Sequence, residues 1–175
     1  MDAAELKAMQ TPLKETYRQD AGQALITLKA RGSIDDQSIA CKVETGRALA
    51  VAGLHPATGG SGLELCSGDM LLEALVACAG VTLKAISTAL AIPLKSGAVS
   101  AEGDLDFRGT LGVAKDALVG FRTIRLAFDL DTDEPQERSD TLLKLTERYC
   151  VVFQTLNTTP ELSVSAQAER PVAKM

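Results

Sequence analysis

Apolar and polar positions along this 175-residue chain follow two different periods. Over 23–52 they alternate in short runs, QALITLKA, SIACKVE and RALAVA, with turn residues over 32–36 and at Thr45-Gly46. Period two with short connections predicts three strands in an antiparallel meander. LHPATGGSG, over 54–62, reads as a loop. From 69 to 91 the alternation stops. That stretch holds no proline and one glycine, Gly80, and its polar residues Asp69, Glu73, Lys84 and Thr88 are spaced close to whole helical turns. It predicts a helix capped by Ser67, with Asp69 favourable in the first turn and Pro93 ending it. Such a helix is apolar around most of its circumference and must be nearly surrounded, by its own domain or by a partner chain.

Beyond it, 96–108 and 121–131 read as two long strands. In the second, Ile124, Leu126, Phe128 and Leu130 alternate with polar or small residues, as in a strand with one wet face. Pro135 opens a second helix whose apolar stripe is Leu142, Leu145, Tyr149 and Val152, and 162–168 alternates as a final strand. Thr11-Pro12 marks the start of a short N-terminal helix through Gln19, with Leu13 and Tyr17 on one face. The expected fold is α+β: antiparallel sheets around a long buried central helix, in the order β-β-β-α-β-β-α-β behind an N-terminal helix. Residues 1–22 are expected as a helical extension, 23–169 as a single domain and 170–175 as a tail. The apolar perimeter of the central helix points to a homodimer.

Composition narrows the function. Apolar residues are 46 % of the chain, enough for a core, and a domain this size buries roughly 70 % of its unfolded surface. Eighteen basic against 23 acidic side chains give a net charge of −5, and there are four Phe, two Tyr and no Trp. No nucleic-acid groove or polybasic membrane patch is expected on such a surface. The longest nearly unbroken apolar run, 70–79, is interrupted by Glu73 and falls short of the ~18 residues of a membrane span. The N-terminus lacks the pattern of a secretory signal, so a cytoplasmic location is expected. There Cys41, Cys66, Cys78 and Cys150 would stay reduced. One histidine, His55, and no close cysteine pair make a zinc site unexpected.

Cys78 sits mid-helix, rotated about 140° from Glu73 and so away from the polar stripe. Desolvation alone would make it an inert core thiol unless a cation offsets the burial. The segment SGDMLLEALVACAGVTLKA, with LTERYCVVFQTL further on and the order of elements around both, resembles the OsmC/Ohr family, the osmotically inducible and organic hydroperoxide resistance proteins. The likeness runs from about residue 24 to 168. It implies an intertwined homodimeric thiol peroxidase without metal or bound organic cofactor. Cys78 takes the peroxidatic position and Cys150 the resolving one. The substrate would be an organic hydroperoxide and the reductant a dithiol, a lipoylated protein or a small molecule. The chain departs from the family at Gly68, where a glutamate holding an activating arginine is usual, and at Val151, where proline is common. Asp69 and Glu73 are the replacement anchors, and Arg47 is favoured over Arg31 as the cation. The alternative is a non-catalytic binding or interaction protein on the same fold, its thiols merely buried. Hydrolysis by a Cys/His pair is poorly served, since His55 lies in a loop. Cys41 reads as a core residue, and Cys66 as structural or as a second partner for Cys78. The acidic cluster Asp129, Asp131, Asp133 and Glu134 reads as a solvated strand end.

Overall fold

The computed structural model describes residues 2–19, 31–34, 40–44, 49–112 and 114–167. In chain order they form α1 (Ala3–Gln19), β1 (Arg31–Ile34), β2 (Ala40–Glu44), β3 (Leu49–Gly53), β4 (Leu65–Cys66), α2 (Ser67–Ala89), β5 (Ser96–Leu105), α3 (Phe107–Thr110), β6 (Phe121–Asp131), α4 (Gln136–Tyr149) and α5 (Val151–Asn157). The expected strand over 23–30, the Thr45-Gly46 turn, the tail 170–175 and Arg47 lie outside the described residues, as do the side chains of Leu13 and Tyr17.

The strands form two sheets. In the first, β1-β2-β3-β4, the first two pairings are antiparallel as expected, while β3 and β4 run parallel over two residue pairs. A turn was expected over 32–36, yet Arg31–Ile34 is a strand, with Gly32 paired to Val43. The second sheet is the long antiparallel pair β5–β6. Its inward face carries Val99, Ala101, Ile124, Leu126 and Phe128, which pack on Leu75 and Ala79 of α2 and on Cys150. An irregularity between Asp104 and Leu105 moves the pairing from Thr123 to Phe121. That slip keeps Phe121 half-buried beside Ile124's face despite their odd spacing. Gly103 is required there, because a Cβ would collide with the Phe121 ring.

Helix α2 packs against five other elements: α1, β4, β5, α4 and α5. Its buried spine is Leu75, Ala79, Leu83 and Ser87, one residue per turn. By length and composition it could cross a membrane, longer than the run-length reading suggested, and here one stripe of it is buried against the elements around it. The single chain covers that one stripe only. Leu71 and Val81 remain exposed, Val81 at 73 %. The N-cap is Cys66 rather than Ser67, with no side-chain cap bond. Its end comes before Pro93. Ala91 takes a left-handed φ of 50°, Ile92 N–H donates to Ser87 C=O (2.8 Å) and Ala91 N–H to Thr88 C=O (3.2 Å), a Schellman ending.

Three further differences have physical causes. Helix α1 starts at Ala3, because Asp2 and Glu5 cap each other's amides reciprocally and Pro12 is accommodated inside it. The second long helix is two helices broken at Cys150, whose φ −73°, ψ 107° is extended. Its buried spine is Leu142, Thr146 and Cys150 rather than 142/145/149/152, and Tyr149 is exposed. Thr146 can be fully buried because its hydroxyl donates to Leu142 C=O at 2.8 Å. The expected last strand has no regular structure over 161–167, and Leu162 and Val164 stand exposed. Its alternation fits a strand, but among the described residues no strand pairs with it.

Candidate functional site

The site is built where α2 meets the α4–α5 break. Leu75 and Ala79 on α2 and Cys150 at the break form one buried cluster, with Cys78, Val152 and Phe153 packed against it. Cys150 is fully buried and Cys78 half-buried, and both are free thiols. The break matters chemically. Because Cys150 is extended, the chain restarts as α5 with its first amides unpaired by helical acceptors. The amides of Val151 and Val152 are among the groups that lower the Cys78 thiol.

The two thiols have opposite electrostatics. Burial pushes the Cys78 thiol up, but the Val152 N–H, the Cys150 thiol, the Val151 N–H and the Thr82 hydroxyl together outweigh it and hold it below the ordinary thiol range. Cys150 is pushed up, first by burial and then by its hydrogen bond to Cys78 and the charge there, against a lowering by the Phe153 N–H. Of the two thiols, Cys78 is therefore the one that gives up its proton at lower pH. Cys150 also lines an apolar cavity of about 130 Å³ with Leu126, Phe128, Leu143 and Phe153.

Of the predicted site residues, the fold brings Cys78 and Cys150 together. Asp69 and Glu73 lie one turn apart on α2 and line an open groove of about 500 Å³ with Leu72, Val76, Ala77 and Ala101. Neither is in an ion pair among the described residues. Arg47 is outside those residues, and Arg31 has its backbone in β1. Among the described residues, the influences that lower Cys78 are donors rather than a cation. Sequence reasoning missed Thr82 and the two valine amides. The signal for Thr82 was its spacing, four residues after Cys78 on one helix face. The amides carry no side-chain signature at all.

Gly68 packs near Phe121 and Leu105, where the longer side chain of a glutamate would enter apolar surroundings. Cys66 ends β4, and twelve residues of helix put it roughly 18 Å along the axis from Cys78, too far to serve as its partner within the chain. It lines a separate cavity of about 380 Å³ that also includes His55. His55 is neither a free loop residue nor a base for Cys78. It stacks on Phe107 (4.9 Å between centroids) and its Nδ1 accepts from Ala57 N–H at 3.0 Å, fixing the turn Pro56–Thr58. In the acidic cluster, Asp133 pairs with Lys95 and Glu134 with Arg138.

Comparison with known proteins places this geometry. The family model described as OsmC-like protein matches residues 60–165, which span both thiols. Comparison with the curated proteins gives no match. Among solved structures, the OsmC like protein from Mycoplasma pneumoniae is similar at TM-score 0.64 and 14 % identity, over 77 % of this chain and 89 % of its own. The organic hydroperoxide resistance protein from Elizabethkingia anophelis gives 0.61 and 14 %, over 77 % and 91 %. The organic hydroperoxide resistance protein OsmC from Legionella pneumophila gives 0.59 and 15 %, over 75 % and 90 %. At these identities the structures speak for the fold. With more than half of the chain matched by the family model, and the helix of Cys78 inside the match, the chain belongs to the OsmC-like protein family.

Proposed function

We propose that the protein is a thiol peroxidase that reduces organic hydroperoxides, with Cys78 as the attacking thiolate and Cys150 as its resolving partner. The observation that carries this reading is the opposed pair: a half-buried thiol lowered by donors, in contact with a buried thiol that is raised. The Cys78 thiolate attacks one oxygen of ROOH. The S–O bond forms as the O–O bond breaks, and the leaving alkoxide takes a proton to give ROH. The Cys78 sulfenic acid then condenses with the Cys150 thiol, releasing water and closing a disulfide. A dithiol of lipoyl type reopens it by exchange and is itself oxidised to a disulfide. Apolar walls around the thiols favour an organic peroxide over hydrogen peroxide.

In this reading Asp69 and Glu73 are the carboxylates available to orient a cation such as Arg47. The reducing cytoplasm suits free thiols. The exposed Leu71 and Val81 on α2, with Val151, Leu162 and Val164, support a homodimer that covers them. The test is a thiol count before and after one equivalent of cumene hydroperoxide. Loss of two thiols per chain, abolished in Cys78→Ser, is expected from the four cysteines. An unchanged count of four rejects the enzyme in favour of a binding protein with buried thiols.

A further inference from the structure

We infer that the cavity of about 380 Å³ at the start of α2 binds a flat, uncharged aromatic small molecule. The site is apart from the two thiols, since Cys66 on its wall lies roughly 18 Å along the helix from Cys78. The inference does not rest on their chemistry. Gly68, in the first turn of α2, helps to make the space. A Cβ there would lie 3.5 Å from Phe121 Cζ and 3.6 Å from Cys66 Sγ and from Leu105 Cδ1. These are ordinary contact distances, so close packing does not demand glycine, and the missing side chain leaves room in the cavity that Gly68 lines. A cavity of roughly 150 Å³ already holds benzene, so this one has room for a molecule of two or three rings.

The walls select the chemistry. Phe107 and Phe121 line the cavity and are only half-buried, so their rings can still take an aromatic partner. Among the described residues of the lining none is Asp, Glu, Lys or Arg. An ionised ligand would lose its hydration there without a counter-charge, whereas an uncharged one loses little. His55 Nδ1 accepts from Ala57 N–H at 3.0 Å, which leaves Nε2 as the ring's donor for one polar substituent. The loop that carries His55 is already built. The His55 carbonyl accepts from Thr58 N–H (2.8 Å), the Thr58 hydroxyl (2.8 Å) and Gly60 N–H (3.1 Å), and its ring stacks on Phe107. A wall fixed before the ligand arrives costs little further ordering on binding. Leu54 and Val119 also line the cavity yet stand exposed, apolar surface that such a ligand would cover.

The test is titration of the reduced full chain with N-phenyl-1-naphthylamine, an uncharged aromatic probe whose fluorescence rises in apolar surroundings. Wild type should bind it saturably, one probe per chain. Gly68→Leu puts a side chain into the cavity and should weaken binding about tenfold or more. Alkylation of each cysteine, resolved by peptide mass spectrometry, locates the probe. At saturation Cys66 should be alkylated about fivefold more slowly or less, while Cys78 keeps its rate. Equal affinity in wild type and Gly68→Leu overturns the inference, as does protection of Cys78 in place of Cys66. So does absence of saturable binding, which would mean that the chain itself or a second copy fills the cavity. If circular dichroism shows Gly68→Leu unfolded, the protection of Cys66 in wild type decides alone. Neither readout involves peroxide, so a failed thiol count with cumene hydroperoxide would reject the peroxidase and leave this site standing or falling by itself.

Discussion

The two thiols are shifted in opposite directions, Cys78 down and Cys150 up, so Cys78 gives up its proton first as the pH rises. Cys78 should therefore react with an alkylating agent at lower pH than an ordinary cysteine, losing reactivity as the pH falls through its lowered pKa. Cys150, buried and raised, should resist until higher pH. In Cys150→Ala one donor to the thiolate is gone, and the Cys78 profile should move to higher pH. An unmoved profile in that variant would show that the neighbouring thiol does not help to activate Cys78. At this scale the sequence made part of the centre legible. The two cysteines stood out because LLEALVAC and ERYC resemble a family pattern. Spacing alone left Cys78 an inert core thiol, since burial was visible in the apolar periodicity and the compensating donors were not. Main-chain amides leave no trace in composition, and Thr82 looked like one more polar residue in an apolar helix.

The break between α4 and α5 leaves those amides without helical acceptors, and it can be probed without disturbing the helices. Val151 is the first residue of α5, and Cys150 before it is already extended. Proline is tolerated at the first helical position and demands an extended residue before it, so Val151→Pro fits the backbone as it stands. The variant removes one N–H from the Cys78 thiolate. Circular dichroism should show native helix content, and the Cys78 alkylation profile should shift modestly to higher pH. A wild-type profile would mean the Val151 amide contributes nothing. Helix α2 was legible because an apolar run with polar residues whole turns apart admits few other readings. The break was not. Leu142, Leu145, Tyr149 and Val152 continue a helical period straight through Cys150, and pattern reading discounts Thr146, whose hydroxyl is satisfied inside the helix. The final strand failed for a different reason: alternation specifies a face, but a strand also needs an edge to pair with.

Seen as a whole molecule, the described chain leaves apolar surface on α2, α5 and 161–167 that a second copy would cover. Light scattering at micromolar concentration should give twice the chain mass; a stable monomer would reject the dimer. The contact between α2 and the α4–α5 break also has a consequence in the language of polymer loops. Cys78 and Cys150 are 72 residues apart in the chain. Closing a bond between them would tie off about two fifths of the polypeptide and remove that freedom from the unfolded ensemble. Loop-closure entropy for such a ring stabilises the folded state by roughly 4 kcal/mol. Oxidised protein should accordingly unfold at clearly higher urea concentration than reduced protein, and Cys78→Ser should show no such difference after peroxide treatment. Equal midpoints for the two redox states would argue against a disulfide here. The relation is reciprocal, because a fold that gains from the bond also holds the two sulfurs together against its loss. If the proposed disulfide forms, the same ring that tightens the oxidised molecule would make it harder to reduce, and turnover would call for a reductant that delivers two thiols from one molecule, the second attacking before the first mixed disulfide can close back.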